Sequence, residues 1–284
     1  MSARQVGPYH FAGGTAVVTG AAGGIGAALA AGLAARGSHL VLLDRDGDGL
    51  EAGAATLRAN HTSLCVATYA VDLADDAATV RVAAELARDH ANTTLVIHNA
   101  GVALAGRFDQ VGAEQFDTVL AVNLRAVVTL TRALLPVLTA HRGAHMAALS
   151  SVFGIVAPPG QTAYCTSKFA IRGFMESLRG ELAPAGVGVT VVHPGGVRTG
   201  IARNAIVGSG LPAADWTAGL RRFERFLSCD PAVAAETILR GVHRRRRRVL
   251  VGRDAAVLDA LARLLPTTHA RLLTAGTHRL TTGR

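Results

Sequence analysis

The 284-residue sequence predicts a single-domain α/β fold of the doubly wound class, a parallel sheet with helices on both faces. Three observations predict it. Short apolar runs rich in β-branched residues alternate with longer segments of helical pattern. The runs are apolar throughout rather than alternating, as in strands covered on both sides, and right-handed crossovers place the intervening helices on those two sides. At 50% hydrophobic residues the chain can bury a large core, and no repeat, linker or low-complexity segment divides it.

Taken in order, Thr15–Thr19 (Thr-Ala-Val-Val-Thr) reads as a buried strand ended by glycine, and 24–36 as a helix of small residues. A second buried strand covers 39–43 and stops at Asp44, and a helical stretch follows to about residue 59. Strands at 64–70, 94–98, 145–150 and 187–193 continue the series, with helices near 75–90, 112–141 and 161–183 between them. Arg248–Val251 closes it. Residues 195 to about 215, rich in Gly, Pro, Ala and Ser, are long for a structureless loop and predict a functional lid, extended here to 195–229. Residues 1–14 form an N-terminal extension, 15–252 the domain, and 253–284 a basic, partly helical tail.

Composition narrows the function classes. Thirty-two glycines, abundant alanine and 4% aromatic residues fit helices that pack closely through small side chains. Cys65, Cys165 and Cys229 are odd in number and widely spaced, so neither a disulfide framework nor a metal site is indicated, and a reducing compartment is expected. Residues 1–14 lack a charged region followed by an apolar run, and no uninterrupted apolar stretch approaches the roughly 20 residues that span a bilayer. A soluble, cytoplasmic protein is expected. From Arg240 onward eleven arginines stand against Asp254 and Asp259, an excess equal to the net charge of +9 of the whole chain. The run Arg244–Arg248 has the charge density to attract phosphates, but it carries no aromatic interleaving or recognition motif and abuts a predicted strand, so no nucleic-acid partner is assigned. Val257, Leu258, Leu261, Leu264 and Leu265 have helical spacing up to Pro266. A basic amphipathic tail of this kind either docks on the protein's own surface, which is favoured, or rests on an anionic membrane as a peripheral contact.

After the first strand comes Thr19-Gly20-Ala21-Ala22-Gly23-Gly24-Ile25-Gly26, a glycine-rich turn opening a helix. Glycine lets backbone approach a pyrophosphate closely, and the helix N-terminus offers free N–H groups. Asp44, at the end of the second strand, can accept hydrogen bonds from an adenosine ribose, which favours NAD over NADP. Arg45 next to it either stacks on adenine or holds a 2′-phosphate; the alternative for the pair is a helix cap and a solvated arginine. Of 29 basic side chains one alone is lysine, Lys168, four residues after Tyr164. One helical turn puts both on one face, and a compact ammonium favours a phenolate as a planar guanidinium does not.

With these motifs and Ser151, 13 residues before Tyr164, the chain resembles the short-chain dehydrogenase/reductases over residues 15–251, through T-G-x-x-x-G-x-G and Y-x-x-x-K. The resemblance implies a Rossmann-like fold and a cofactor site formed by Gly20, Gly24, Ile25, Gly26, Asp44, Arg45, Asp72, Leu73, Asn99, Ala100, Gly101, Tyr164, Lys168, Pro194, Gly195, Val197 and Thr199. Asp72-Leu73 would line the adenine pocket. His98-Asn99-Ala100-Gly101 departs from the family's N-N-A-G at His98, read as a core histidine. The implied catalytic residues are Asn123, Ser151, Tyr164 and Lys168, with Ser150 structural and Cys165 a packing residue. In that scheme Tyr164 is the acid/base, Lys168 lowers its pKa and holds the nicotinamide ribose, Ser151 binds the substrate oxygen and Asn123 supports a water leading to Lys168. The implied activity is hydride transfer between NAD (preferred) or NADP and a secondary alcohol or ketone, in a homodimer or homotetramer. A non-catalytic nucleotide-binding regulator and an epimerase or dehydratase are the alternatives. Ile206, Val207, Leu211, Trp216, Leu220, Phe223, Phe226 and Leu227 make the substrate lipophilic if they line the pocket; otherwise they pack the lid helix or meet another subunit. Arg203, Arg221, Arg222 and Arg225 either meet an anionic head group or form a solvated face.

Overall fold

Strand β1 (Thr15–Thr19) is buried along its whole length, and its neighbours explain why its sequence does not alternate. Ala16 and Val18 enter one apolar layer with Leu29 and Leu33 of helix α1 (Gly24–Ala34) and Ile238 and Leu239 of helix α8 (Pro231–His243). Val17 enters the opposite layer, with Leu86 of α3 (Asp76–Asp89), Leu130 and Leu134 of α5 (Ala126–Ala140) and Met175 of α6 (Thr162–Leu182). Both faces meet hydrocarbon, so both parities must be apolar, each large side chain contributing about 1.5–3 kcal/mol on burial. This computed structural model describes residues 6–270.

The central sheet has seven parallel strands. Besides β1 they are β2 (His39–Asp44), β3 (Val66–Ala70), β4 (Thr93–His98), β6 (His145–Leu149), β7 (Gly188–Pro194) and β9 (Arg248–Val251), in the order β3-β2-β1-β4-β6-β7-β9. Two-residue strands β5 (Leu104–Ala105) and β8 (Ile206–Val207) pair separately beside it. The order reverses between β1 and β4, and there the loops at the strands' C-terminal ends diverge to leave a crevice. Helix α2 (Gly47–Asn60), α4 (Ala113–Leu120), α7 (Ala213–Glu224) and α9 (Arg253–Leu264) complete the fold.

The Rossmann-like class is as the sequence predicts, and each central strand lies within two residues of its expected bounds. Several features differ. The helix expected over 112–141 is α4 and α5 joined by a π-helical turn, Ala121–Arg125. Its continuous stretch Ala113–Ala140 is long and apolar enough to cross a bilayer, but half of its most apolar window is buried in the protein. Helix α8 is absent from the sequence reading, although Asp230 caps it through Ala232 N and Pro231 occupies the first turn. Gly32 lets α8 close on α1: a Cβ there would lie 2.7 Å from Leu239 Cδ1.

The extension and the arginine run are both tied into the fold. Tyr9 and Phe11 belong to the core, with the Tyr9 hydroxyl 2.9 Å from Thr94 Oγ1. Arg245 donates to the carbonyls of Gly7, Gly143 and Ala144 from a left-handed backbone, φ 49°. Arg248 forms a half-buried ion pair with Asp259 of α9 at 2.6 Å, and Arg263 joins it. Helix α9 thus docks its first turns on the sheet, while Val257 and Leu264 stay exposed. The tail beyond residue 270 lies outside the described residues.

Three histidines, His98, His145 and His193, are buried and held neutral, their pKa values pushed down by burial to about 4, 3 and 4. The folded chain refuses protons that an unfolded chain binds below about pH 6.5, so stability is full above that value and falls as pH approaches 4. Each site contributes about 1.4 kcal/mol per pH unit, so the three together should give roughly 4 kcal/mol per unit below pH 6. Denaturant titrations at stepped pH check this, and a flat profile from pH 7 to 4.5 would contradict it.

Candidate active site

The glycine turn after β1 is shaped by contacts that leave no room for side chains. Gly20 and Gly24 have positive φ, 68° and 56°. Gly26 serves packing: a Cβ there would stand 1.8 Å from the Gly20 carbonyl oxygen. Thr19 Oγ1 accepts from the amides of Asn99 and Ala100 at 3.0 Å, and the Asn99 amide donates to the Thr19 and Gly20 carbonyls at 2.9 Å. No side chain caps α1 at Gly23, so its first amides and the positive end of its dipole are offered to whatever lies in front.

In front lies a cleft of about 340 Å³. It is lined by Gly20, Gly24, Ile25, Asp44, Arg45, Asp72, Leu73, Asn99, Ala100, Gly101 and Thr199, all expected, and by Gly23, Val71, Val102, Val122, Gly200, Ile201 and Asn204, which the sequence reading missed. Gly23 belongs to the glycine turn, and Val71, Val102, Val122 and Gly200 adjoin expected residues; Ile201 and Asn204 adjoin none of the expected cofactor or catalytic residues. Asp44 does not cap α2, a role taken by Asp46; its carboxylate accepts from Ala22 N at 2.9 Å and Asp46 N at 3.1 Å, which fixes it at the cleft wall. Of the other expected cofactor residues, Gly26 lies behind the turn and Val197 is buried in the core. Pro194 ends β7, and Gly195 packs on Asp254, whose carboxylate accepts from Gly196 N. None of these four lines the cleft, and neither do Tyr164 and Lys168.

The catalytic candidates converge at the C-terminal end of β6. The Ser151 side chain acts on the Tyr164 phenol, favouring its ionised form, and Ser151 Oγ accepts from Phe153 N at 3.1 Å. Lys168 Nζ donates to the Leu149 carbonyl at 3.0 Å and stands 5.6 Å from the centroid of the Tyr164 ring. Ser150 turns the other way and donates to the Lys168 carbonyl at 2.8 Å, a structural role. Asn123 sits in the π-helical turn, its Oδ1 accepting from Val102 N and its Nδ2 donating to Val102 O and Ser167 Oγ. Gly101 lies between Asn123 and Lys168: a Cβ there would be 3.2 Å from both Oδ1 and Nζ.

Burial dominates the electrostatics of the site. Burial pushes the Tyr164 phenol up to about 12, opposed by the Ser151 side chain. The ammonium lies against the ring and the Leu149 carbonyl, and its own burial brings it down to about 8. Desolvation is the leading cause in both. Cys165 is buried, its thiol pushed up to about 12, and His98 is a core residue with Nε2 3.1 Å from Thr131 Oγ1.

Residues 14–207 match the short chain dehydrogenase family. The chain belongs to that family. It is 39% identical over 270 residues to the oxidoreductase SadH of Mycobacterium tuberculosis, covering 94% of this chain and 96% of that one. A short-chain dehydrogenase/reductase from Burkholderia phymatum in complex with NAD superposes with a TM-score of 0.81 at 28% identity, over 90% of this chain and 95% of the other. A short-chain dehydrogenase from Sphingobium yanoikuyae in complex with NADPH gives 0.73 at 28% identity, over 89% and 95%. The protein is thus an oxidoreductase of the short-chain dehydrogenase/reductase family.

The surroundings of Lys168 predict a result specific to lysine. Lys168→Arg should keep a positive charge and still lose at least about tenfold in kcat/KM, because a planar fork cannot fit beside Gly101 and the Leu149 carbonyl. Steady-state kinetics decide it; a fully active variant would remove any special role for the lone lysine.

Proposed function

We propose that this short-chain dehydrogenase transfers hydride between a nicotinamide dinucleotide and a secondary alcohol or ketone, using NAD in preference to NADP and taking a lipophilic substrate. The observation that carries the reading is Lys168, buried with its ammonium 5.6 Å from the centroid of the Tyr164 ring at the end of β6, where Ser151 also lies.

The cleft residues fit a dinucleotide. Gly20, Gly24 and Ile25 would offer backbone to its pyrophosphate, since the uncapped start of α1 supplies N–H groups and glycine leaves space for close approach. Asp44 would accept from the adenosine ribose hydroxyls, and its fixed negative charge would repel a 2′-phosphate, which supports NAD. Arg45 is the countervailing charge. Asp72 and Leu73 would line the adenine side; Asn99, Ala100, Gly101 and Thr199 complete the walls. When bound, the dinucleotide supplies or accepts the hydride.

The chain's own residues handle the proton. Tyr164 with its pKa near 12 is a phenol at neutral pH, suited to donate its proton to a carbonyl oxygen as that oxygen gains charge. Ser151 Oγ would hydrogen-bond the same oxygen and hold it against Tyr164. Lys168 would bind the nicotinamide ribose and stabilise the phenolate left behind, with Asn123 holding its strand–helix surroundings. The lid helix α7 supports a lipophilic substrate: it has no buried residue, Trp216 and Leu220 are half-buried, and Phe223 and Phe226 are exposed, so packing on the core does not consume its apolar face. The free, exposed thiol of Cys65 supports a reducing, cytoplasmic compartment. Assembly as a homodimer or homotetramer rests on the family resemblance.

Two variants test the reading. Tyr164→Phe should lower turnover with a ketone and NADH by about 10²–10⁴-fold while leaving the Kd for NADH within about twofold; equal loss of both would indicate a structural tyrosine. Asp44→Ala should weaken NADH binding at least about fivefold and leave NADPH unchanged or tighter. Fluorescence titration of both cofactors reads it, and an unchanged NADH/NADPH ratio would overturn the ribose assignment.

A further inference from the structure

Ser151 lies beyond the last residue that the sheet holds. Ser150 N donates to Val192 O at 2.8 Å, and after that the chain enters one 3₁₀ turn, Val152–Gly154. A single such turn has weak hydrogen-bond geometry and does not fix its first residue by itself. The Ser151 carbonyl accepts from Gly154 N at 3.0 Å, within the turn, and from His193 Nδ1 at 2.9 Å, from outside it.

His193 is fully buried in β7, between Val192 and Pro194 and in register with Leu250 of β9. A carbonyl can only accept, so Nδ1 carries the hydrogen and the ring is the neutral Nδ1–H tautomer. Its Nε2 has no hydrogen-bond partner among the described residues. The charged groups that face the ring are Arg172 of α6, Arg248 of β9 and Asp259 of α9; burial first, then the two arginines, disfavours a third cation there. A position filled for packing alone would hold an apolar residue like Val191 or Val192, without an orphaned ring nitrogen. The histidine is accounted for by the one bond it makes.

We infer that His193 is a positioning residue for proton transfer: its Nδ1–H, donated to the Ser151 carbonyl, holds the Ser151 hydroxyl against Tyr164. The inference rests on the proposed roles of Ser151 and Tyr164. The side chain does not line the cleft that fits the dinucleotide, so its influence belongs in kcat and not in cofactor binding.

Substitutions separate the donor from the volume. His193→Asn places an amide N–H where Nδ1 stands, His193→Gln places it where Nε2 stands, and His193→Leu removes it. With ketone and NADH, His193→Leu and His193→Gln should lose about tenfold or more in kcat, His193→Asn should recover most of that loss, and the Kd for NADH should stay within about twofold in all three. Wild-type kcat in the Leu or Gln variant overturns the inference, as does an Asn variant no better than Leu. Nitrogen-15 NMR of the unsubstituted protein is independent of variant folding: an Nε2–H tautomer at His193 would also overturn it. Ser151→Ala distinguishes the two levels. If that variant keeps its activity, the reading of the site fails; if it is inactive while His193→Leu is not, only the role of His193 fails.

Discussion

Lys168 is clasped to the end of β6 from both directions. Its ammonium donates to the Leu149 carbonyl, and its own carbonyl accepts from the Ser150 hydroxyl. A bond from a charged donor is worth about 1.5–3 kcal/mol, and here it closes a ring of contacts between one strand and one helix. Gly154 must remain a glycine for the ring to close, because a Cβ there would meet Ser150 Oγ at 2.1 Å and the Lys168 carbonyl oxygen at 2.7 Å. The register of α6 against β6, and so the meeting of Ser151 with Tyr164, follows from this clasp. The lysine that the proton chemistry needs is also a framework residue.

The cofactor side is organised by a similar economy. Thr19 and Asn99 join the ends of β1 and β4, the strands between which the sheet order reverses. That junction sets the depth of the cleft, while the glycines divide the work: Gly20 and Gly24 turn the chain and Gly26 admits the helix. Polar groups that bind and polar groups that hold are therefore neighbours in sequence, with opposite faces and different tolerance to substitution.

Much of this was legible in the sequence, because burial on both faces forces uninterrupted apolar strands and because phosphate approach forces glycine. The Tyr164–Lys168 spacing is likewise a local fact of helix geometry. What escaped depends on contacts between distant segments. The π-helical turn that carries Asn123 has no composition of its own, and β5 and β8 are too short to show a period. Tyr9 and Phe11 read as an extension until Thr94 and His243 are seen to receive them. Helix α8, which begins beyond the expected lid, was missed despite the capping signal at Asp230-Pro231. The high pKa of Tyr164 follows from how completely the site is enclosed, which spacing alone does not reveal.

The single lysine also makes the molecule its own reporter. An endoprotease that cleaves after lysine has one bond to attack in the whole chain, Lys168–Phe169, within α6 beside a side chain that is 3% exposed. Cutting requires that turn of helix to open, so the rate of digestion under native conditions measures the opening of the reaction centre, by local or by global unfolding.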